Sequence, residues 1–397
     1  SGVVRTDAGA PVANATVTIR HIPTGRVDRS TTSENGTFFE TGLLVGGPYT
    51  VSVESAEGNL LRENLRFGPS TNSLQLSISS IQDEVIVTAT RTGQSIGDGV
   101  GSAFNSSEIL GQPSANRDLI ATLVRDPLAN STGEGILSVA GANPRFNALA
   151  IDGSLQQDDF GLSSSTYATA RAPISLDVVE SASVVATDYS VTQSGFTGGL
   201  VNIVTKSGTN EFDGALYFYK QNEDFFGDET KDGRAVTVAP FDEEEYGFVL
   251  SGPIVKDKLF FLASYDEFKS GSGREFSQND TNNGVNPALF PALATIVQDS
   301  LGYDIGSRPL SVSNPVTSER MLGKIDWNIN DQHRASFTYQ STKENGFSGV
   351  GSNTFDSAYY STPSDLKAYT GQLFSDWSDN FSTELRVNYK DYERAQN

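Results

Sequence analysis

The segment from Asp228 to Gly233 has the residue types and spacing of a calcium-binding loop. Oxygen-bearing side chains stand at its first, third and fifth positions and glycine at its sixth, which is the pattern of the first half of such a loop. The loop's last ligand position falls on Ala239, where calcium needs a glutamate that binds through both oxygens. We therefore interpret the segment as a solvated acidic loop, and we predict no metal site and no cofactor.

Groups suited to catalysis are scarce in this chain. It has no Cys and only two His residues, His21 and His333, which excludes thiol nucleophiles, disulfides and Cys-based zinc sites. No Gly-x-Ser-x-Gly elbow, no phosphate-binding loop ending in Lys-Ser and no His-Glu-x-x-His motif occurs. Carboxylates are abundant, but none lies in a pattern that assigns acid and base roles. The sequence therefore predicts no catalytic residue and a protein that is not an enzyme.

A partner-binding segment is a better candidate for function. It has high β-propensity, precedes a glycine-rich stretch at 93–101, and consists of Glu84, Val85, Ile86, Val87, Thr88, Ala89 and Thr90. Such a segment can add as a strand to the exposed edge of a partner's sheet, where main-chain hydrogen bonds carry the load. The alternative is an ordinary edge strand of the N-terminal region, and both interpretations stay open.

The charge balance narrows the class of partner. Lys and Arg number 28 against 49 Asp and Glu, which gives a net charge of −21. This argues against nucleic acid as a partner, because a protein surface that binds nucleic acid needs basic residues to displace counterions.

The composition indicates the fold class. Charged residues make up 19% of the chain, aromatic residues 10%, and there are 38 Gly. This composition favours a β-rich protein.

The elements that would position these residues differ along the chain. Residues 1–80 alternate apolar and polar side chains between turn signals, as in 49–54 and 74–79, which predicts a small β-sandwich. Residues 102–210 predict a mixed α/β region with a short helix at 118–125, capped by Asn116. Strand-like runs follow the helix.

The last section, after residue 210, alternates apolar and polar side chains over long runs. We predict seven strands, near 212–221, 245–253, 258–269, 319–330, 333–342, 367–377 and 381–393. In a soluble sandwich the two faces would be core and solvent, whereas in an outer-membrane barrel they would be lipid and wet lumen. The connections run alternately long and short, which favours the barrel, because barrels have short periplasmic turns and long outer loops.

Several stretches resemble TonB-dependent outer-membrane transporters. Gly198 to Phe212 is similar to the junction between plug and barrel, and Tyr246 to Phe261 resembles the second and third barrel strands of the Oar-like branch. Phe146 to Gly153 resembles the central strand of the plug with its Ile-Asp-Gly turn. Residues 1–80 resemble the carboxypeptidase-regulatory-like domain that this branch carries, and residues 84–90 stand where the family has its Ton box.

The resemblance implies a mainly β fold in four parts. Residues 1–80 would form the carboxypeptidase-regulatory-like β-sandwich, 81–101 the Ton box and a flexible linker, 102–210 a mixed α/β plug domain, and 211–397 the first seven or so strands of a large antiparallel transmembrane β-barrel. A barrel that holds a folded plug has about 22 strands. We therefore expect the chain to be a truncated part of a longer protein whose later barrel strands are missing.

The resemblance also implies a function. It indicates energised passage of a large or scarce ligand through a plugged barrel in the outer membrane of a Gram-negative cell. The N-terminal domain would be periplasmic and the long loops extracellular. The expected partners are the TonB complex of the inner membrane, which would pull on residues 84–90, the lipid bilayer, an unidentified extracellular ligand and any additional outer-membrane subunits.

We predict that the ligand contacts the apices of the plug. One apex is the tight polar turn at 143–145, and the other is the loop at 153–166. The candidate ligand-binding residues are Asn143, Arg145, Gln156, Gln157, Asp158 and Phe160.

Two alternatives to transport stay open at this point. The barrel could be a surface or assembly scaffold that anchors a partner through its long loops without transport. Separately, the sandwich could be a sugar- or peptidoglycan-binding module.

Overall fold

The computed structural model describes residues 1–6, 9–68, 73–78, 100–111, 117–133, 136–159, 166–169, 171–187, 196–225, 227, 240–275, 286, 289–309, 311–351, 353–378 and 381–397. Within these ranges, no helix combines the length and the apolar character needed to cross a lipid bilayer.

The N-terminal region is a sandwich of two sheets. Its strands are β1 (Gly2–Thr6), β2 (Thr16–His21), β3 (Val27–Thr31), β4 (Thr37–Phe38), β5 (Gly46–Ser55), β6 (Gly58–Phe67) and β7 (Leu74–Ile78). One sheet has the order β4-β1-β7 and the other β3-β2-β5-β6. The alternation in β5 places Tyr49, Val51 and Val53 fully inside. They pack with residues of both sheets in one apolar core, as a pleated strand with one face toward a core requires.

The middle region is built around a five-stranded sheet, which we call the plug sheet. Its elements are β8 (Val100–Asn105), α1 (Ser106–Leu110), α2 (Leu119–Leu123), β9 (Ala129–Gly133), β10 (Ile136–Val139), β11 (Ala148–Ile151), β12 (Ser154–Leu155), β13 (Val179–Thr187) and β14 (Leu200–Thr205). The plug sheet has the order β12-β11-β14-β13-β8, and β9 and β10 form a separate hairpin. The cap of α2 is Asp118, whose carboxylate accepts from the Ile120 amide; Asn116, the expected cap, lies outside the described residues.

The last region is one antiparallel sheet, which we call the barrel sheet. Its elements are β15 (Asp213–Asn222), β16 (Phe241–Val255), β17 (Leu259–Glu275), α3 (Leu289–Leu301), β18 (Ser311–Asn328), β19 (His333–Ser348), β20 (Tyr360–Ser378) and β21 (Phe381–Arg394). Each strand pairs with the next in sequence, so β15 and β21 are the two edges and the described sheet is not closed. The seven predicted strands are all present.

The barrel sheet has two different ends. β16 and β17, β18 and β19, and β20 and β21 are joined by connections of two to four residues, and these define its short-turn end. The strand ends joined by 223–240, 276–310 and 349–359 lie at the opposite end of the sheet, which we call its long-loop end. The alternation of long and short connections that the sequence predicts is therefore present in the structure.

The two faces of the barrel sheet reverse the usual arrangement of a water-soluble sheet. Its outward face exposes large apolar side chains, among them Leu216, Phe248, Met321, Ile325, Trp327, Phe337, Leu385 and Val387. Its inward face, which packs on the plug sheet, buries polar and charged side chains, among them Asp266, Arg320, Lys324, Arg334, Thr338 and Gln340. Apolar-out and polar-in strands are typical of outer-membrane barrels, which confirms the predicted fold class.

Candidate functional site

Asp152 is the point at which the plug sheet is fastened to the barrel sheet. It ends β11 in the left-handed region, with φ 48°, and Gly153 follows with φ 81°. This turn directs the Asp152 carboxylate toward the end of the neighbouring strand β14. There Oδ1 accepts from the Thr205 amide at 2.9 Å, and Oδ2 accepts from the Thr205 hydroxyl at 2.6 Å. The carboxylate therefore holds the ends of β11 and β14 together.

Four barrel strands reach the same turn. From β19, the Thr338 hydroxyl donates to Asp152 Oδ2 at 3.1 Å. From β18, Lys324 Nζ lies 3.8 Å from Oδ2 and donates to the Thr205 hydroxyl at 3.0 Å. From β20, Gln372 donates to the Asp152 carbonyl, and from β21, Asn388 donates to the Gly153 carbonyl, both at 3.1 Å. The Ile-Asp-Gly turn is thus a junction between plug and barrel sheets.

A second junction lies further toward the long-loop end and is ionic. Arg320 on β18 donates from Nε to Asp266 Oδ1 at 2.7 Å and from Nη2 to Glu245 Oε1 at 2.9 Å. Its Nη1 reaches across to the plug region and donates to the carbonyls of Ala172 and Ile174 at 3.1 and 3.3 Å. Because Arg320, Asp266 and Glu245 are all buried, each charge depends on its partners for compensation.

The plug region contributes its own charge to this junction. Arg171 Nη2 donates to Glu245 Oε2 at 3.2 Å, and the Arg171 guanidinium stacks over the Phe268 ring at 3.6 Å. Burial lowers the pKa of Arg171. Arg117 is a third arginine at this junction: its Nε lies 3.8 Å from Glu245 Oε1, and its guanidinium also pairs with Asp177. Gln340 donates a hydrogen bond to the Pro173 carbonyl at 2.6 Å.

The predicted ligand-binding residues that are described lie near one another. Asn143 and Arg145 are exposed, and the Asn143 side chain caps the Pro144–Phe146 turn by accepting from the Arg145 amide. Gln157 donates to the Asn147 carbonyl at 3.2 Å, which places its loop beside this turn. Asp158 is half-buried beside it.

Two of the candidates differ from the rest. Gln156 is fully buried, donates to the Ser154 carbonyl and has no partner for Oε1, so it faces the interior of the plug region. Phe160 lies outside the described residues, as do Glu84 to Thr90. The assignments of ligand-binding and Ton box residues stay predictions.

Strand direction places the candidate apex at the long-loop end. β11 is parallel to β14, and β14 leads to Asn210, which bonds Asp257 in a short turn at 2.7 Å. Asp152, at the end of β11, is therefore nearer the short turns, whereas Asn147, before β11, is farther away. The apex at 143–147 and 156–159 consequently points toward the long loops.

Sequence reasoning found some barrel residues of these junctions and missed others. Lys324 and Lys390 lie on the polar faces of alternating strands, which the sequence predicts to line a wet lumen; in the structure Lys324 contacts Thr205, and Lys390 donates to the Gln157 carbonyl at 2.9 Å. Arg320 and Asp266 were not singled out. Their place on the polar face of alternating strands was a usable signal, but the pairing of Asp266 with Arg320 depends on the register of β17 and β18.

Two family models match parts of the chain. The model described as an outer membrane beta barrel domain matches residues 204–282. The model described as a carboxypeptidase regulatory-like domain matches residues 1–76.

Two curated proteins show similarity in sequence. The TonB-dependent transporter Oar of Myxococcus xanthus is 25% identical over 242 residues, which are 58% of this chain and 21% of that protein. The probable TonB-dependent siderophore receptor PirA of Acinetobacter baumannii is 30% identical over 158 residues, which are 39% of this chain and 16% of that protein. The chain thus spans about a fifth or less of the length of these relatives.

A solved structure shows the same fold. The siderophore receptor PirA from Acinetobacter baumannii superposes with a TM-score of 0.51 at 18% identity, covering 74% of this chain and 40% of that one. Together with the sequence matches, this confirms the predicted resemblance: the chain is a homologue of the TonB-dependent transporter Oar. Its location is the outer membrane.

Proposed function

We propose that this chain forms the sandwich, Ton box, plug and first barrel strands of an Oar-like TonB-dependent transporter. In this proposal a large or scarce ligand binds from outside, the TonB complex of the inner membrane supplies energy, and the plug rearranges to let the ligand pass. The sandwich, residues 1–80, then faces the periplasm, and the long loops face the exterior. The activity is transport, with no chemical step.

The observation that carries this proposal is the way the plug sheet is held inside the barrel sheet. Every strand from β18 to β21 contacts the Asp152–Gly153 turn through a side chain, in β18 by the ion pair of Lys324 with Asp152 and in the other three by hydrogen bonds. A plain anchor for a surface protein needs an apolar outer face, but it has no need for a separate folded sheet fastened inside it by buried polar bonds. A plug that must block the lumen at rest and yet move needs such bonds, because polar contacts can exchange with water when the plug shifts.

We further propose that ligand recognition involves Asn143, Arg145, Gln157, Asp158 and Phe160. Asn143 and Arg145 support this role because they are exposed on the same apex as Gln157. Gln156 belongs to this set as a support, since its buried amide orders the loop that carries Gln157.

The direct test is capture of TonB by the segment Glu84 to Thr90. The test uses Val87→Cys in the complete protein in its native cells; the chain described here has no Cys of its own to compete with this thiol. We expect a cross-linker to join this thiol to TonB, since strand addition brings the two backbones side by side. The matched control is Glu57→Cys, at an exposed turn of the sandwich, which should yield no TonB adduct.

The scaffold alternative predicts a different result. If neither Val87→Cys nor Val85→Cys forms more adduct than Glu57→Cys, and deletion of 84–90 leaves surface assembly intact, then the protein is an anchored scaffold and the transport proposal is wrong.

A further inference from the structure

Three carboxyl groups converge where the sandwich meets the barrel sheet. Asp28 on β3 and Glu40 after β4 belong to the sandwich, whereas Asp376 lies near the end of β20 at the short-turn end. Each carboxyl group contributes one oxygen atom to a set of three, and these three oxygens lie within 4.8 Å of one another. Thr41 adds a direct link between the two regions by donating to Asp376 Oδ1 at 2.7 Å. The carboxyl cluster therefore bridges two separately folded parts of the chain.

A further oxygen beside this cluster has no partner. Ser30 is 6% exposed, and its Oγ makes no hydrogen bond. Ser30 lines the same cavity as Glu40 and Asp376, with a volume of about 990 Å³. Oδ2 of the buried Asp28 is likewise unpaired. Buried polar atoms are rarely left unpaired, because the loss of hydration is costly, and such atoms indicate a bound water or ion.

The surrounding charges leave an excess of negative charge at the cluster. Arg26 compensates Asp28, with Nε 2.7 Å from Oδ1. Arg334 faces Asp28 at longer range but also Asp326, and its guanidinium stacks on Phe374. Among the described residues, no Lys or Arg nitrogen lies within 4.0 Å of a Glu40 or Asp376 carboxylate.

Other titratable groups lie near the cluster. Arg29 and Lys258 also line the cavity, but Arg29 is largely exposed and its Nη1 lies 3.9 Å from Asp331 Oδ2. The Ser1 amino group is in electrostatic range of Glu40, but burial lowers its pKa. His21 is buried, and its pKa is lowered to about 3, so it is neutral. When both are ionised, Glu40 and Asp376 carry two negative charges, which one divalent cation would balance.

We propose that Asp28, Glu40 and Asp376, with the hydroxyl of Ser30, bind a divalent cation that clasps the sandwich to the short-turn end of the barrel. All four donors are hard oxygens, which Ca²⁺ and Mg²⁺ prefer. The donors come from three separate segments without octahedral order, and the cavity has room for waters to complete a shell. Ca²⁺ tolerates such irregular, partly hydrated sites better than Mg²⁺ does, so Ca²⁺ is the favoured ion.

The test is Ca²⁺ binding to the complete chain in detergent after treatment with a chelator, measured by calorimetry. Because this acidic protein can hold ions elsewhere, each variant is compared with a control of equal charge, Glu34→Gln, at an exposed turn of the sandwich. We expect Glu40→Gln and Asp376→Asn each to weaken one class of site at least tenfold relative to Glu34→Gln. The two variants lie on different regions, so a folding defect in one leaves the other to carry the test.

A spectroscopic measurement reports the position of the ion. Trp377 is adjacent to Asp376, and a nearby indole can sensitise luminescence of Tb³⁺, which replaces Ca²⁺. We expect Tb³⁺ luminescence that Ca²⁺ displaces and that Trp377→Phe reduces several-fold without loss of calorimetric binding.

The proposal has a clear contrary outcome. If Glu40→Gln and Asp376→Asn bind Ca²⁺ with the same number and affinity as Glu34→Gln, no ion occupies the cluster and the proposal is overturned. The same holds if Ca²⁺ leaves hydrogen exchange of the β3 amides unchanged in the parent chain, because a clasp must slow it.

Discussion

Asp152 joins two roles at the scale of a single residue. Its left-handed backbone allows the chain to turn sharply out of β11, a conformation that Asp and Asn adopt more readily than most residues with a side chain. Its carboxylate then accepts three hydrogen bonds, two from Thr205 and one from Thr338. The same side chain therefore fixes the end of the plug sheet and fastens it to the barrel sheet.

Replacement of Asp152 by Ala should loosen the plug sheet locally. The change removes the acceptor of three hydrogen bonds and one negative charge that compensates the buried Lys324. Breaking a buried ion pair in this way lowers the free energy of unfolding by about 3–5 kcal/mol. We expect amide exchange in β11 and β14 to accelerate by roughly a hundredfold or more, since each 1.4 kcal/mol is a factor of ten. Hydrogen exchange with mass spectrometry measures this. Asp213→Ala, at the exposed start of β15, is the control and should change little.

An unchanged exchange rate in β11 for Asp152→Ala would show that Thr205 and Lys324 hold the two sheets together without the carboxylate.

Predictions for single residues are correct where a sequence motif determines the backbone conformation. The Ile-Asp-Gly turn is visible in the sequence because Gly153 follows an apolar run, and the structure gives it the expected sharp turn. Gln156 shows the limit: it was proposed as a ligand-binding residue at the plug apex, and its side chain is buried, because the pairing of β12 with β11 continues through the Gln156 amide to the Leu149 carbonyl. That pairing depends on contacts distant in sequence, which local pattern does not encode.

At the scale of elements, the regular alternation of apolar and polar residues allows the barrel strands to be predicted from the sequence. Their lengths cannot be predicted in the same way. β18 begins at Ser311 and β20 at Tyr360, seven or more residues before the predicted starts. Pro315 and Pro363 lie in these extensions and read as strand breakers. In the structure these two prolines are nevertheless part of the strands, where Pro315 pairs with Gly271 and Pro363 with Asn345. Beyond the apolar band the side chains are mostly polar on both faces, so the period-two signal disappears while the ladder continues.

The outward face gives a prediction about single strands. Phe337 lies in the middle of the apolar band of β19, is 50% exposed and pairs with Ile325 on β18. Phe337→Arg should destabilise the membrane-inserted state by about 2–4 kcal/mol, because a cation at the bilayer midplane is costly. Urea titration of the complete protein in lipid vesicles measures this. The control is Phe347→Arg on the same strand near the long-loop end, which should cost about 0–1 kcal/mol.

Equal destabilisation by the two Arg variants would indicate that the outward face of β19 packs on protein instead of hydrocarbon.

At the scale of the whole molecule, the sandwich is seated on the short-turn end of the barrel sheet. Asn210 donates from its amide to the Pro23 carbonyl at 3.0 Å, and Gly25 packs so closely on Asp257 that a Cβ would overlap the carboxylate. The sequence indicates both folded regions, because each has its own pattern. It does not indicate their contact, which is made of isolated residues such as Glu40, Thr41 and Asp376 with no shared motif.

This contact should depend on pH when chelator removes divalent ions. Burial, with Asp28 and Asp376 nearby, raises the pKa of Glu40 from an ordinary 4.5 to about 8. Docking of the sandwich on the barrel sheet therefore favours the protonated form of Glu40. The docked state is most stable below pH 4.5, loses stability as the pH rises from 4.5 to 8, and changes little above pH 8. Distances between spin labels at Glu57→Cys and Asp213→Cys measure the docked fraction.

Glu40→Gln mimics the protonated acid and should remove most of this pH dependence. A variant that kept the full dependence would assign the titration to another group, such as Asp28, whose pKa burial also raises.

The position of β8 in the plug sheet determines how the sheet responds to tension. β8 is an edge strand, and its first residue, Val100, pairs with Thr187, at the end of the sheet farthest from the short turns. A force applied to the chain before Val100 and directed toward the short turns would peel β8 away from β13, starting at Val100. The hydrogen bonds would then break one pair after another, as in unzipping, and not all at once in shear. This geometry lets a small force detach β8 from the plug sheet in steps, while the Asp152 junction on β11 stays in place.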